Sequence, residues 1–312
     1  MADAAYTHRP VLLSEAVDAL DVRADGIYMD LTYGRGGHAG LIASRLGPRG
    51  RLVVMDRDPE AIANAELRFG DDTRVVIERG SFVGFDVAAA ALGITGKVNG
   101  VLVDLGVSSA QLDDPRRGFS FRQDGPLDMR MDPGTGQSAA DWLAQAPESE
   151  ISRVLWEYGE EKHARRMARA IVGERAVRPF LTTMHLQEVI ARANPAWEQG
   201  KDPATRAFQA IRIHINGELE ALGVFLDRII DVLAPGGRLV VISFHSLEDR
   251  MVKRFIRKQA RGDDLPPDLP VPDSARRPRL RAIGAAMQPS QEEVQANPRA
   301  RSAVLRVAER LQ

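Results

Sequence analysis

Residues 29–40, MDLTYGRGGHAG, place four glycines within seven positions, Gly34 to Gly40, directly behind a short apolar run. A glycine-rich loop after a strand cradles a nucleotide-like ligand: missing side chains let backbone amides approach it, and a following helix start offers unpaired N–H groups. Residues 34–39 fit loosely the dinucleotide pattern G-x-G-x-x-G/A, which would make the chain a dehydrogenase. The loop therefore points to a nucleotide-like ligand and leaves its identity to the rest of the chain.

Outward from that loop the chain alternates strand and helix. Residues 26–30 read as the first strand, and a helix around 40–46 ends at Gly47-Pro48. Residues 51–56 form a second strand, 74–82 a third and 100–109 a fourth; Pro59 sits where a helix start tolerates it. Strands rich in Val, Ile and Leu that alternate with helices imply a parallel sheet covered on both faces. The predicted fold class is α/β, a Rossmann-like parallel sheet with an inserted, mostly helical domain. The pattern breaks after Ser109. Residues 113–138 are too polar and too rich in Pro and Gly for a strand or helix, and too long for an idle loop. Helical segments follow, then a helical run over 204–233, the turn Ala234-Pro235-Gly236-Gly237 and a strand over 238–244. The predicted organisation is a core first part at 1–111, a helical substrate-recognition insertion at 112–203 and a core second part at 204–312. That last part carries a basic helix (249–261), a Pro-rich arm (265–280) and two closing strands, LRAIGA (280–285) and SAVLRVAER (302–310).

The 312 residues suffice for a full core, and the absence of cysteine excludes disulfides and thiolate metal sites. The N-terminus carries no signal-peptide pattern and no apolar run approaches ~20 residues, so a soluble, cytoplasmic protein with no membrane partner is expected. The net charge of −1 hides an asymmetry: residues 250–312 hold 14 Lys and Arg against 7 Asp and Glu. A basic segment on an acidic body points to a polyanion, because each cation near a phosphate releases counterions.

Ligands of open parallel sheets bind at the carboxyl ends of the strands, where strand order reverses. Four features fall there: the glycine loop; Asp56, able to accept both hydroxyls of a ribose; Gly80-Ser81-Phe82, with a ring for adenine; and Asp104. NAD and S-adenosylmethionine share the adenosine that these would hold. Asp30 discriminates, since a carboxylate at the mouth of strand one suits a cationic amino-acid moiety and repels a pyrophosphate. The Pro-Gly-Gly turn in LAPGGRLVVISF (233–244) is likewise typical of methyltransferases and not of dehydrogenases. Both favour S-adenosyl-L-methionine.

The runs TYGRGGH (32–38), MDRDPEAI (55–62), LVDLGVSSAQLDDPRRGFSF (102–121), DGPLDMRMD (124–132), PATRAFQAIRI (203–213), LAPGGRLVVISFHSLEDR (233–250) and NPRARSAVLRVAER (297–310) resemble, in order, the bacterial ribosomal RNA small-subunit methyltransferase H family. The resemblance spans nearly the whole chain and is weakest at 140–200 and 262–275. It implies methylation of the exocyclic N4 of a cytidine in the decoding region of small-subunit rRNA, with that rRNA, in an assembled or late-assembling subunit, as partner to a monomer or homodimer. Carried over by motif, it implies cofactor contacts from Gly36, Gly37, His38, Asp56, Phe82, Asp104 and Gln111.

The N4 lone pair of cytosine is delocalised, while the sulfonium is already an activated donor. The enzyme then needs in-line orientation and an acceptor for the amine hydrogens. Many amino-methylating enzymes place [DNS]-P-P-[YF] after strand four; this chain has Asp104-Leu105-Gly106-Val107. Asp104 or the adjacent backbone is expected to accept the amine, the alternative for Asp104 being a cofactor contact. Phe119 and Phe121, set among Arg116, Arg117, Arg122 and Arg130, have the composition of a stacking platform for a splayed-out base. Ser243 and His245 end strand five, with His245 expected to position substrate; Arg254 and Arg257 on the basic helix are expected to meet RNA backbone. His8 and His214 read as structural, and no His, Asp and Glu spacing suggests a required metal. An N4-cytosine DNA methyltransferase, an NAD-dependent oxidoreductase and a non-catalytic rRNA-binding assembly factor are the rival readings.

Overall fold

The computed structural model describes residues 10–194, 202–262 and 277–312. His8 and most of the Pro-rich arm lie outside the described residues. The chain divides into two compact units, Met1–Gly106 with Glu220–Gln312, and Val107–Leu219.

The first unit is built on a seven-stranded sheet: β1 (Ile27–Asp30), β2 (Arg51–Asp56), β3 (Val75–Arg79), β4 (Val98–Asp104), β5 (Leu233–Ser243), β6 (Leu280–Ala282) and β7 (Val304–Arg310), in the order β3-β2-β1-β4-β5-β7-β6. β1 to β5 run parallel, and β7 pairs antiparallel with β5 and β6. The strand order reverses between β1 and β4, and a ligand crevice opens at such a switch point. Alternation along each strand sends Met29, Val53, Val101, Val103, Leu239 and Val241 into one core and Tyr28, Leu52, Val54, Leu102, Val240 and Ile242 into the other.

Helices α1 (Leu13–Ala19), α2 (Gly37–Arg45) and α3 (Pro59–Phe69) contribute to the second of these cores, and α4 (Phe85–Ala91) to the first. Asp58 caps α3 by accepting from the Glu60 N–H at 3.0 Å, with Pro59 at the first helical position. The second unit holds α5 (Ser109–Asp113), α6 (Ala139–Gln145), α7 (Glu148–Glu157), α8 (Ala164–Arg175), α9 (Thr183–Ala193) and α10 (Thr205–Asn216). The helices that follow are α11 (Glu218–Val232), α12 (Ser246–Arg261) and α13 (Gln291–Ala296).

Two sequence boundaries move. The 204–233 run is broken by Gly217, whose φ of +59° ends α10 in the left-handed conformation. α10 buries Ala207, Phe208, Ala210 and Ile211 in the core of the helical unit, so that unit extends past 203 to Leu219. The predicted Ala-Pro-Gly-Gly turn lies inside β5, which starts at Leu233 and absorbs the irregularity as a register shift opposite Val98 and Gly100.

Candidate active site

In-register pairing places the acidic side chains at one end of the sheet. Asp30 pairs with Val54 on β2 and Leu102 on β4; Asp56 and Asp104 each lie two residues further along those strands. The period of two puts all three carboxyls on the same face, with Asp30 set deeper by one repeat.

The glycine loop is tied to these ends. Leu31 N–H donates to Leu102 O at 3.0 Å, Tyr33 N–H to Met55 O at 3.0 Å, and Asp104 N–H to Thr32 Oγ1 at 2.6 Å. Gly36 starts α2 with φ +70°, where a Cβ would collide with the Tyr33 ring; at Gly37 a Cβ would strike Pro10. The first turn of α2 faces Asp30, whose carboxyl is drawn toward the N–H groups of Thr32 and Ala39. This polarity suits a helix N-terminus.

Asp56 is held by backbone amides: Oδ2 accepts Gly34 N–H at 2.8 Å and Oδ1 accepts Asp58 N–H at 2.9 Å. A carboxylate has about four acceptor sites, so each oxygen keeps capacity for a hydroxyl donor. Beside it, Gly80 N–H bonds Asp56 O, and a Cβ at Gly80 would meet nothing within 4 Å. The half-buried Phe82 ring packs edge-on against Phe225 at 5.8 Å.

At Asp30 and Asp104 the fold leaves polar groups unmatched. Asp30 Oδ2, Asp104 Oδ1 and Ser243 Oγ are enclosed without a hydrogen-bond partner among the described residues. Burial, with the charge of Asp56 adding to it, pushes the Asp30 carboxyl up to about 7 despite the Thr32 and Ala39 amides. Asp104 rises well above the carboxylate range through burial, then the charges of Asp30 and Glu248, yet its side chain keeps 24% exposure. His38 offers no balancing charge: its buried ring meets Val11 O through Nε2 at 3.2 Å, and burial lowers it to about 4. It is therefore neutral, with Nδ1 3.9 Å from Asp104 Oδ2. No Lys or Arg among the described residues lies within ion-pair distance of Asp30, Asp56 or Asp104.

Unpaired buried carboxylates demand a cation, because isolated charge in a low dielectric is costly. A dinucleotide would add negative phosphates to an already acidic crevice. S-adenosylmethionine instead brings an α-ammonium, a sulfonium and a ribose diol.

Thr32, Glu248 and the amide pair around Asp56 escaped the sequence reading. Glu248 had a signal, since three residues past His245 it occupies the N3 position of a capping box. His245 is the N-cap of α12: Nδ1 accepts Glu248 N–H at 3.5 Å, while Glu248 Oε2 accepts Phe244 N–H at 2.9 Å and His245 N–H at 3.3 Å. His245 Nε2 lies 3.1 Å from Glu248 Oε1 without hydrogen-bonding alignment. Arg254 and Arg257 are exposed on α12.

In the helical unit, several predicted contacts serve the fold. Gln111 is buried, and its Oε1 accepts Ser108 N–H at 2.9 Å in a capping box on α5. Phe119, expected to stack on a base, is 6% exposed inside the unit's core, which corrects that expectation. Phe121 is half-buried and meets Phe208 edge-on at 4.7 Å. Arg117, expected on RNA, is buried and donates from Nη2 to Arg130 O at 3.2 Å and Met131 O at 2.9 Å. Arg130 makes a bidentate pair with Asp128 at 2.9 and 2.6 Å. Arg122 is exposed. The His214 ring lies tilted against Trp142 at 4.6 Å and stacks on Tyr158 at 6.5 Å.

A sheet of this order, with an antiparallel seventh strand and unmatched carboxyl oxygens at its switch point, defines the chain as a Rossmann-like methyltransferase that uses S-adenosylmethionine. Residues 5–311 match the MraW methylase family, and the chain belongs to that family. It is 62% identical over 308 residues to the ribosomal RNA small subunit methyltransferase H of Thioalkalivibrio sulfidiphilus, covering 98% of each chain. Among solved structures, an rRNA methylase from Streptococcus thermophilus is similar with a TM-score of 0.43 and 12% identity, over 99% of this chain and 100% of that one. Aeropyrum pernix fibrillarin in complex with S-adenosyl-L-methionine is similar with a TM-score of 0.37 and 10% identity, over 95% and 73%. Among the described residues no helix is long and apolar enough to cross a membrane.

Proposed function

We propose that this enzyme methylates the exocyclic N4 of a cytidine in small-subunit rRNA, within the assembled or late-assembling subunit, and that Asp104 accepts the amine. The carrying observation is the pair of enclosed, unmatched carboxyl oxygens, Asp30 Oδ2 and Asp104 Oδ1, at the β1 and β4 ends beside an amide-held Asp56. When bound, S-adenosylmethionine supplies an activated methyl group on a sulfonium centre.

Asp30 receives the amino-acid ammonium at the floor of the crevice, and Asp56 receives the ribose hydroxyls. Together they fix the direction in which the methyl group faces the substrate, and orientation of this kind lowers barriers by several kcal/mol. Asp104 ends β4, two residues past the Leu102 that pairs with Asp30. A neighbouring cation lowers a carboxyl's pKa, so Asp104 is ionised in the loaded enzyme and accepts an N4 hydrogen. Methyl transfer moves the positive charge to N4, and the proton passes from there to Asp104, whose proton affinity recovers once the sulfonium charge is gone. The charge that holds the ligand thus becomes the base that clears the product.

Labelled S-adenosylmethionine supplied with small-subunit particles, naked small-subunit rRNA, large-subunit rRNA and DNA tests the reading. Label in small-subunit rRNA that maps by mass to N4-methylcytidine is expected. Label at a carbon of the base, or in DNA alone, would overturn it.

A further inference from the structure

Among the described residues, a long basic surface outside the catalytic crevice lies on α12. From Arg250 to Arg261 the sequence contains no Asp or Glu. Val252, Phe255 and Ile256 face the core, while Lys253, Arg254, Arg257, Lys258 and Arg261 are exposed. Among the described residues none of these five has a carboxylate within ion-pair distance. Neighbouring arginines differ: Arg279 meets Asp231 at 2.5 Å, Arg281 meets Glu309 at 2.6 Å, and Arg306 makes a bidentate pair with Asp249 at 2.6 and 3.0 Å.

Folding does not require this stripe. Lys258 and Arg261, in the last turn, complement the helix dipole, but Lys253, Arg254 and Arg257 sit mid-helix. Like charges four apart on a helix repel, so Lys253 with Arg257 and Arg254 with Lys258 weaken α12 when nothing is bound. A groove of about 130 Å³ runs beside the stripe, with Ile256, Ile283 and Val307 as floor and Lys253 and Arg257 on the rim. None of its lining residues is aromatic. A cationic rim over an aliphatic floor fits phosphates and sugars, and lacks the rings that would stack bases.

We infer that α12 and this groove form a sequence-independent anchor for the phosphodiester backbone of RNA, separate from the pocket for the target base. The inference rests on the rRNA reading for its choice of polyanion. It assigns Lys253, Arg254 and Arg257 to backbone phosphates, so that affinity for the particle is carried largely outside the crevice.

The test uses the full chain with Lys253→Gln, Arg254→Gln and Arg257→Gln combined, and Arg279→Gln with Arg281→Gln as the paired-cation control. Binding to a small-subunit rRNA fragment is titrated across salt, alongside S-adenosylhomocysteine binding and thermal unfolding. Each phosphate contact on a single strand contributes roughly 0.7 to the slope of log affinity against log salt. The triple variant is expected to lose about 10- to 100-fold in RNA affinity and about two from that slope. Its S-adenosylhomocysteine affinity should stay within about twofold of the parent, its melting temperature equal or higher, and the control's RNA affinity within about twofold of the parent. Unchanged RNA affinity and slope in the triple variant overturn the anchor, and so does an equal loss in the control. If the parent binds RNA through the stripe yet methylates none, the anchor stands and the rRNA-methylation reading fails.

Discussion

Two acidic or basic clusters drew attention in the sequence, and the fold treats them oppositely. At the ends of β1 and β4, Asp30 Oδ2 and Asp104 Oδ1 are enclosed with nothing to bond. In the loop after α5, Arg117 and Arg130 are provided for: two carbonyls receive one guanidinium and Asp128 receives the other. Composition marked both as chemical. Satisfaction separates them, because a polar group that is fully bonded inside the protein has little left for a ligand, whereas an unmatched buried carboxyl is tolerated only for what it will bind.

The largest expected effect breaks the comparison from the satisfied side. Phe119→Ala empties a core position and should cost about 3–5 kcal/mol of stability. Arg117→Met strands the Arg130 and Met131 carbonyls at a cost of roughly 2–4 kcal/mol. Chemical denaturation reads both, and the folded fraction of each variant should bind rRNA within about twofold of the parent. Selective loss of RNA affinity at unchanged stability would return these residues to the substrate surface. Arg122→Ala should show the converse pattern, with stability changed by less than about 0.5 kcal/mol.

Next in size is Asp104→Asn, an isosteric change that removes the acceptor charge. Turnover should fall about 10²–10³-fold at saturating cofactor, equivalent to about 3–4 kcal/mol, with S-adenosylhomocysteine affinity nearly unchanged. A rise in KM for S-adenosylmethionine with kcat intact would confine Asp104 to holding the cofactor.

Asp30→Asn should separate binding from stability. Loss of the ammonium partner weakens cofactor affinity by about 1.5–3 kcal/mol. The ligand-free protein should move the other way. With its carboxyl raised to about 7, Asp30 binds its proton more tightly when folded than the ordinary carboxyl does when unfolded. Its contribution is fully present below about pH 4 and is lost as pH rises through about 7, so the ionised carboxyl penalises the empty enzyme above that. Thermal unfolding of the ligand-free variant should therefore exceed the parent's above about pH 7, and the difference should vanish near pH 4. A parent–variant difference that stays flat across that window would show that Asp30 is already paired.

These contrasts explain what was legible. The sheet could be read because Val, Ile and Leu runs alternate with capped helices, and the acids because they fall where such strands stop. The boundary at Leu219 could not, since the apolar stripe of α10 has the same period whichever core receives it, and only packing assigns Phe208 and Ile211 to the helical unit. Phe119 and Arg117 were misread for a related reason. Rings among guanidiniums describe a stacking platform and a clamped loop equally well, and the carbonyls that receive Arg117 lie 13 and 14 residues away.

His245 tests the distinction most finely because it belongs to both sides. Nδ1 is spent on capping α12 through Glu248 N–H, while Nε2 has no aligned partner. If the cap is its whole role, Asn, which caps at least as well, should preserve stability and turnover. Ala should cost about 1 kcal/mol with kcat unchanged in the folded fraction. If Nε2 positions substrate, as the sequence suggested, Asn will keep the melting temperature and still lose turnover, since its amide supplies a cap but cannot reach where Nε2 lies. The split between unfolding and kcat in the Asn variant, not the size of either, decides which nitrogen matters.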